Sequence, residues 1–541
     1  MIKLDGHNLT YNDLWRVAVD GASCALAPRA RLAMRRSRRL VEKLAAEPRA
    51  IYGINTGFGP LSGTRVALAD QARHQVNLLH HLSVGQGPLF SASETRAIMA
   101  ARANALARGY SGIRESVVDL LLGALNAGVL PEIPSLGSVG ASGDLAPLAH
   151  MTRLLVGFGS ARTGGRRVPA VKALAAAGLK PVVLECKEGL ALVNGTSVMT
   201  GLAALSCREA RSILSWMELL SACMIQALFG EPEVLCEQAH RARGHRGQFL
   251  AAQRIAAYLK THPDYARRID SHYWGSFAKP VETGIEIQDP YSLRCAPQVL
   301  GAFQDAFWHV EQVVNRELNA STDNPLIFPA TGTVIHCGNF YGQHVSMVSD
   351  YLKTGLVKLV LLSERHLERL VNWRYSGGLP PLLAGGAPGI NSGLAGCQLL
   401  ATALAAEARL MSVPASVQTI PTNANNQDVV SMGTISARMV RGVLDLAWKV
   451  LAIEALALAQ AADLRERERR PVLGAAYGRL YKKVRSVSAR LDQDRPLFED
   501  IGRVAAGLSS DEWMDHCLLP SGEVPPELKA AAHRPRKGRR P

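Results

Sequence analysis

Gly137-Ser138-Val139-Gly140-Ala141-Ser142-Gly143-Asp144-Leu145-Ala146-Pro147-Leu148-Ala149-His150 is the stretch from which the rest of the chain is read. Its closely spaced glycines exclude regular helix or strand before Asp144, while Leu145 onward reads as the start of a helix. An Ala-Ser-Gly turn opening a helix offers a hydroxyl nucleophile or a nest of backbone N–H groups for an anion. An ordinary glycine turn is the plain alternative, and for three residues alone it is the better one.

Two further glycine-rich stretches, 51–65 and 376–393, are too broken for regular structure. Loops of such length in a folded chain are usually functional. Between them, 30–50, 68–82, 115–127, 198–229, 296–319, 341–371, 393–411 and 436–470 carry apolar residues at three- and four-residue spacing and predict helices. The last is the clearest, with Val440, Val443, Leu444, Ala447, Leu451, Ala455, Leu458 and Ala462 on one stripe. The expected fold is mainly α, a bundle of long helices with glycine-rich active-site loops. The expected division is 1–200 for an N-terminal domain with the turn, 201–470 for the bundle, 471–527 for a C-terminal helical segment and 528–541 for a basic disordered tail.

With 541 residues, 48% hydrophobic and 20% charged, the chain has material for a large core and is not broadly disordered. The net charge of +15 is concentrated in Arg29–Lys43, Arg465–Arg470 and Lys529–Arg540. The first two read as solvated helix faces and the last as a tail. No aromatic-interleaved stripe or zinc-finger spacing accompanies the charge, so no nucleic-acid partner is expected. The nine dispersed cysteines lack a Cys-x-x-Cys pair, which reads as reduced thiols without a metal. The apolar run 212–230 contains Glu218 and Gln226, so a buried helix is expected and no membrane partner. A cytoplasmic protein is the default expectation.

The ten-residue context of the turn resembles the signature of the aromatic amino-acid ammonia-lyase and aminomutase family. Tyr52 in Tyr-Gly-Ile-Asn-Thr-Gly-Phe-Gly, Asn194 in Leu-Val-Asn-Gly-Thr, and Gln288-Asp289-Pro290-Tyr291-Ser292-Leu293-Arg294 match further segments. So do Ser321-Thr322-Asp323-Asn324-Pro325-Leu326 with Phe328, Gly338-Asn339-Phe340, and Asn425-Asn426-Gln427-Asp428, all in family order. The resemblance implies a 4-methylidene-imidazole-5-one group formed autocatalytically from Ala141-Ser142-Gly143, with no external cofactor. The Gly143 nitrogen would attack the Ala141 carbonyl, which needs a compressed turn and an unhindered amide. Loss of the Ser142 hydroxyl as water would leave an exocyclic methylene, electrophilic towards a substrate amine.

The same resemblance implies the remaining roles. Arg294 would grip the substrate carboxylate with two parallel hydrogen bonds, with Asn324 adding one more. Asn324 could instead be a cap, and Tyr52 could merely pack. Carried over, Tyr52 is the base for the Cβ proton; a phenol of pKa ~10 would need lowering by positive charge or donors. Tyr291 and Gln288 would orient the electrophile and the leaving amine. Asn194 would polarise the ring carbonyl. Phe328, Asn423, Asn426 and Gln427 complete the substrate-binding set. A homotetramer with active sites built from several chains is implied too.

Substrate choice rests on His81-Leu82, where histidine lyases carry Ser-His and phenylalanine lyases typically Phe-Leu. His-Leu resembles the tyrosine ammonia-lyases: His81 can pair a para-hydroxyl while Leu82 packs on the ring. Neighbours on a helix lie ~100° apart, so only one of His80 and His81 faces a pocket; a histidine satisfied by backbone is the better reading for His80. Gln427 stands where histidine lyases have glutamate. The expected activity is elimination of ammonia from L-tyrosine to trans-p-coumarate, with weaker action on L-phenylalanine. The alternatives are a tyrosine 2,3-aminomutase, then a phenylalanine or histidine ammonia-lyase.

Overall fold

Alanine and leucine at helical spacing build the molecule. In a computed structural model, which describes residues 1–271, 288–387, 389–467 and 473–519, the longest elements are the helices Ser197–Ala227, Ala296–Leu318, Gln343–Val371 and Gly433–Arg467. All eight stripe residues from Val440 to Ala462 are buried. Among the described residues the strands are two to four residues long, in four small sheets. The fold is therefore mainly α. Within the run 212–230, Glu218 is buried and receives Arg254 Nη1 at 3.0 Å, and burial pushes its carboxyl up to about 7. No described helix is long and apolar enough to cross a membrane.

The chain forms two units. One comprises 1–208, 308–353 and 412–442; the other comprises 209–307, 354–411 and the described part of 443–541. Each is discontinuous in sequence, unlike the consecutive segments expected. The tail 528–541 lies outside the described residues.

Arg29, Arg35, Arg36, Arg39 and Lys43 are exposed as expected of a solvated face, but Arg38 in the first charged stretch and Arg465 in the second are buried. In the first unit Arg31 pairs Asp119 at 2.6 Å, Arg35 pairs Glu115 at 2.7 Å and the buried Arg38 pairs Glu185 at 2.6 Å. In the second, Arg465 is fully buried and donates to the carbonyls of Ser376 (2.7 Å), Gly377 (3.0 Å) and Ala227 (3.2 Å). The partners come from distant segments, so the local charge pattern could not announce them.

Candidate active site

The Ala-Ser-Gly turn connects the strand Pro134–Leu136 to the helix Leu145–Leu155. Gly140 (φ 74°), Ser142 (φ 53°) and Gly143 (φ 73°) lie in the left-handed region. A Cβ on Gly143 would sit 2.2 Å from the Gly195 carbonyl oxygen, so only glycine fits. Gly195 N–H donates to the Ser142 carbonyl at 3.3 Å, and Asp144 N–H donates to the Gly195 carbonyl at 2.8 Å. On the opposite side Met432 N–H donates to the Val139 carbonyl at 2.9 Å, and Ser431 Oγ to the Gly140 carbonyl at 3.3 Å. Ala141 is buried with Ala415, Val430 and Met432. Asp144, fully buried, accepts from Val198 N–H (2.8 Å), Met199 N–H (3.0 Å) and Thr434 Oγ1, while burial lifts its carboxyl to about 6.

Gln427 reaches the turn directly. Its Oε1 accepts from Thr422 Oγ1 at 2.7 Å, which turns Nε2 towards Ser142 Oγ at 3.3 Å. The preceding Asn423, Ala424 and Asn425 take φ of 53°, 52° and 60°, and Asn426 N–H closes onto the Asn423 carbonyl at 3.1 Å. Asn423 Nδ2 lies 2.7 Å from where a Gly59 Cβ would be, so this strained turn abuts the tyrosine loop.

Tyr52 is half-buried because Ile51 and Ile54 on either side of it enter a cluster with Val41, Leu44, Cys186 and Ile327. Its ring meets His336 edge-on, with centroids 5.9 Å apart. Burial pushes the phenol above its usual value and Asp323 adds to the push, against one hydrogen bond from the Gly59 backbone. The expected lowering is therefore reversed: the nearest charge that perturbs the phenol is negative.

Asp323 anchors the neighbouring polar groups. Lys187 Nζ donates to its Oδ2 at 2.6 Å, both side chains being buried. Asn194 Nδ2 donates to Asp323 Oδ1 (3.1 Å) and to the Asn324 carbonyl (3.0 Å). Both amide hydrogens of Asn194 are thus spent. The ring carbonyl formed from this turn would be that of Ser142, and the donor facing it is Gly195 N–H. Asn324 Oδ1 accepts from Cys337 N–H at 2.8 Å. Lys187 and Asp323 escaped sequence reasoning. Lys187 stands between Cys186 and Glu188 in no recognisable motif, and Asp323 pairs with it only through the fold.

The selectivity pair ends the helix Gln71–Leu82. His81 Nδ1 lies 3.1 Å from the Asn77 carbonyl; a carbonyl only accepts, so Nδ1 carries the proton and Nε2 of the neutral ring is an acceptor. His80 is exposed and tilts against Phe158, which corrects its reading as a core histidine satisfied by backbone. Beyond Leu82, Gly85 N–H donates to His150 Nε2 at 3.1 Å and Gln86–Leu89 pairs with Pro134–Leu136. This pairing sets Gly85, three residues after Leu82, against Gly137 at the start of the Ala-Ser-Gly loop. His74, two turns back on the same face of the helix as His81, stacks on Phe58 of the tyrosine loop with centroids 4.4 Å apart.

Gln288, Tyr291 and Arg294 belong to the second unit. Arg294 Nη1 donates to Gln288 Oε1 at 2.6 Å, and the guanidinium lies 4.8 Å over the Tyr291 ring. Tyr291 is 72% exposed. Phe328, with Tyr110 5.3 Å away, lines a cleft of about 540 Å³ with Arg108, Glu317 and His344. No cluster of three or more metal-ligating side chains occurs among the described residues.

A family model described as aromatic amino acid lyase matches residues 9–486. The chain belongs to the aromatic amino acid lyase family. Histidine ammonia-lyase of Geobacillus thermodenitrificans is 41% identical over 515 residues, covering 95% of this chain and 98% of that protein. The MIO-dependent tyrosine 2,3-aminomutase of Streptomyces globisporus is 40% identical over 521 residues, covering 95% and 96%. A crystal structure of the tyrosine aminomutase from that organism superposes with a TM-score of 0.87 at 38% identity, covering 95% of this chain and 98% of that one. The chain is accordingly a carbon–nitrogen lyase of a family that uses a self-formed methylidene-imidazolone and no external cofactor. The residues here fit that group: a glycine-only position, a left-handed Ser142 and a donor on its hydroxyl.

Proposed function

We propose that this lyase is a tyrosine ammonia-lyase, releasing ammonia from L-tyrosine to give trans-p-coumarate and acting more weakly on L-phenylalanine. The observation that carries the reading is the His81 ring, whose Nδ1 is committed to the Asn77 carbonyl. Its Nε2 accepts a hydrogen bond, which is what a para-hydroxyl offers and a bare phenyl ring does not. Leu82 beside it supplies the apolar contact.

The prosthetic group, once formed, supplies an electrophile for nitrogen that ordinary side chains lack. The chain's own residues do the rest. Tyr52 takes the Cβ proton. Because burial and Asp323 hold its phenol high, only a small fraction is ionised at neutral pH and the rate rises with alkalinity. Gln427 donates to the Ser142 side chain, first to the hydroxyl that leaves as water. Gly195 N–H faces the Ser142 carbonyl, where negative charge is to be stabilised. Arg294 receives the substrate carboxylate in a homotetramer whose sites combine residues of more than one copy.

The second reading is a tyrosine 2,3-aminomutase, supported by the Streptomyces relative at 40% identity beside the histidine lyase at 41%. Against a histidine lyase stands Gln427, whose neutral amide offers imidazole no counter-charge. Purified protein incubated with equal tyrosine, phenylalanine and histidine decides the matter. Mostly p-coumarate with some cinnamate supports the tyrosine lyase, β-tyrosine moves the assignment to the aminomutase, and urocanate overturns both.

A further inference from the structure

Tyr291 and Arg294 ride on a helix of four residues, Tyr291–Arg294. A single turn does not hold itself, so its orientation must come from outside. One outside support, beside the burial of Leu293 and the helix that begins at Ala296, is a buried histidine. His366 Nε2 lies 2.9 Å from the Ser292 carbonyl oxygen, and its Nδ1 lies 2.7 Å from Glu454 Oε1. Ser363 Oγ donates to Glu454 Oε2 at 2.5 Å, and both His366 and Glu454 are fully buried. A carbonyl oxygen only accepts, so Nε2 must carry a proton; a second proton is shared between Nδ1 and the carboxyl. The imidazole is thereby locked between an orienting acid and the turn that carries Arg294.

We propose that His366, oriented by Glu454, is a positioning residue for recognition of the substrate carboxylate: its Nε2–H fixes the Ser292 carbonyl and so aims Arg294 two residues on. This rests on the reading that Arg294 receives that carboxylate. The guanidinium is set up for it. Nη1 is taken by Gln288, one face is covered by Tyr291, and the buried Nε has no hydrogen bond among the described residues.

Two substitutions separate aiming from packing. An asparagine amide reaches about where Nδ1 is, and a glutamine amide about where Nε2 is. His366→Asn keeps the contact to Glu454 and loses Ser292; His366→Gln does the reverse. In the full enzyme, His366→Asn is expected to raise KM for tyrosine roughly tenfold. The kcat and the ultraviolet absorbance of the cyclised group should stay near wild type. Inhibition by p-coumarate weakens in parallel, while inhibition by 4-vinylphenol, the same ring and double bond without the carboxylate, does not. His366→Gln is expected to keep KM and lower the melting temperature, since it leaves Glu454 short of its partner. A KM increase larger in His366→Gln than in His366→Asn, or equal weakening of both inhibitors, overturns the proposal. Arg294→Lys is the reference. If it weakens p-coumarate inhibition and His366→Asn does not, only the positioning role fails. If Arg294→Lys itself leaves that inhibition unchanged, the carboxylate reading fails and the proposal with it. Should His366→Asn not fold, a tenfold KM increase in His366→Gln overturns the proposal and an unchanged KM supports it.

Discussion

Replacing His81 by phenylalanine tests the substrate assignment at a single atom. In the native chain Nδ1 is held by the Asn77 carbonyl at 3.1 Å, which leaves Nε2 as the acceptor presented by this side chain. Phenylalanine fills similar space without an acceptor. A tyrosine hydroxyl bound against it loses its partner, at a cost of ~1–3 kcal/mol. At 1.36 kcal/mol per tenfold, that is roughly a 5- to 150-fold fall in the ratio of kcat/KM for tyrosine to that for phenylalanine. The fall should come from tyrosine, while phenylalanine holds or gains through apolar contact. Because His81 is solvent-exposed in the chain and its lost bond is to one backbone carbonyl, stability should change by less than about 1 kcal/mol. The assay is steady-state formation of both unsaturated acids by wild type and His81→Phe, with products identified by mass. An unchanged ratio would refute the pairing of His81 with the hydroxyl. A product of β-tyrosine with a shifted ratio would keep the pairing and change only the reaction.

Ser142→Ala should abolish turnover and the ultraviolet absorbance of the cyclised group while leaving the melting temperature near wild type; residual full activity counts against the turn as its source. Gly143→Ala should be destabilising and inactive, because its Cβ would meet the Gly195 carbonyl at 2.2 Å and its φ of 73° disfavours any side chain; a folded, active variant contradicts this. The Tyr52 phenol lies above its usual value, so log kcat/KM should climb through the alkaline range and Tyr52→Phe should be inactive; a rate flat from pH 7 to 10 would remove Tyr52 as the base. Glu218 is lifted from 4.5 to about 7, so the folded state binds more protons than the unfolded state between those values. Its contribution to stability therefore declines as pH rises through that window. Urea midpoints at pH 5 and pH 7 should show a smaller difference in Glu218→Gln than in wild type.

The helices were readable because a buried face repeats every three or four residues, and that signal is local. The 436–470 pattern matches the observed Gly433–Arg467, which starts three residues earlier, and its last residues, 468–470, lie outside the described residues. The glycine loops were readable for the same reason, since left-handed backbone at Gly140 and Gly143 needs that residue type wherever the rest of the chain goes. Charge was misread for the opposite reason. Arg38 and Arg465 look like surface residues in any window, and most of their acceptors come from segments more than seventy residues away.

The sequence by itself determined a mainly helical chain with a self-cyclising Ala-Ser-Gly turn, and it named the loops that carry Tyr52, Asn194, Arg294 and Gln427. It could do so because residue type and spacing suffice for periodicity, for turn chemistry and for a family resemblance. Tertiary structure alone decided which atoms meet. It spent both amide hydrogens of Asn194 on Asp323 and the Asn324 carbonyl, left Gly195 N–H facing the Ser142 carbonyl, and turned Nε2 of Gln427 onto Ser142. It also buried His366 against Glu454 and the turn that bears Arg294. The direction of a hydrogen bond and the sign of a pKa shift depend on neighbours within a few ångströms. Those neighbours are scattered along the chain and are gathered only when it folds.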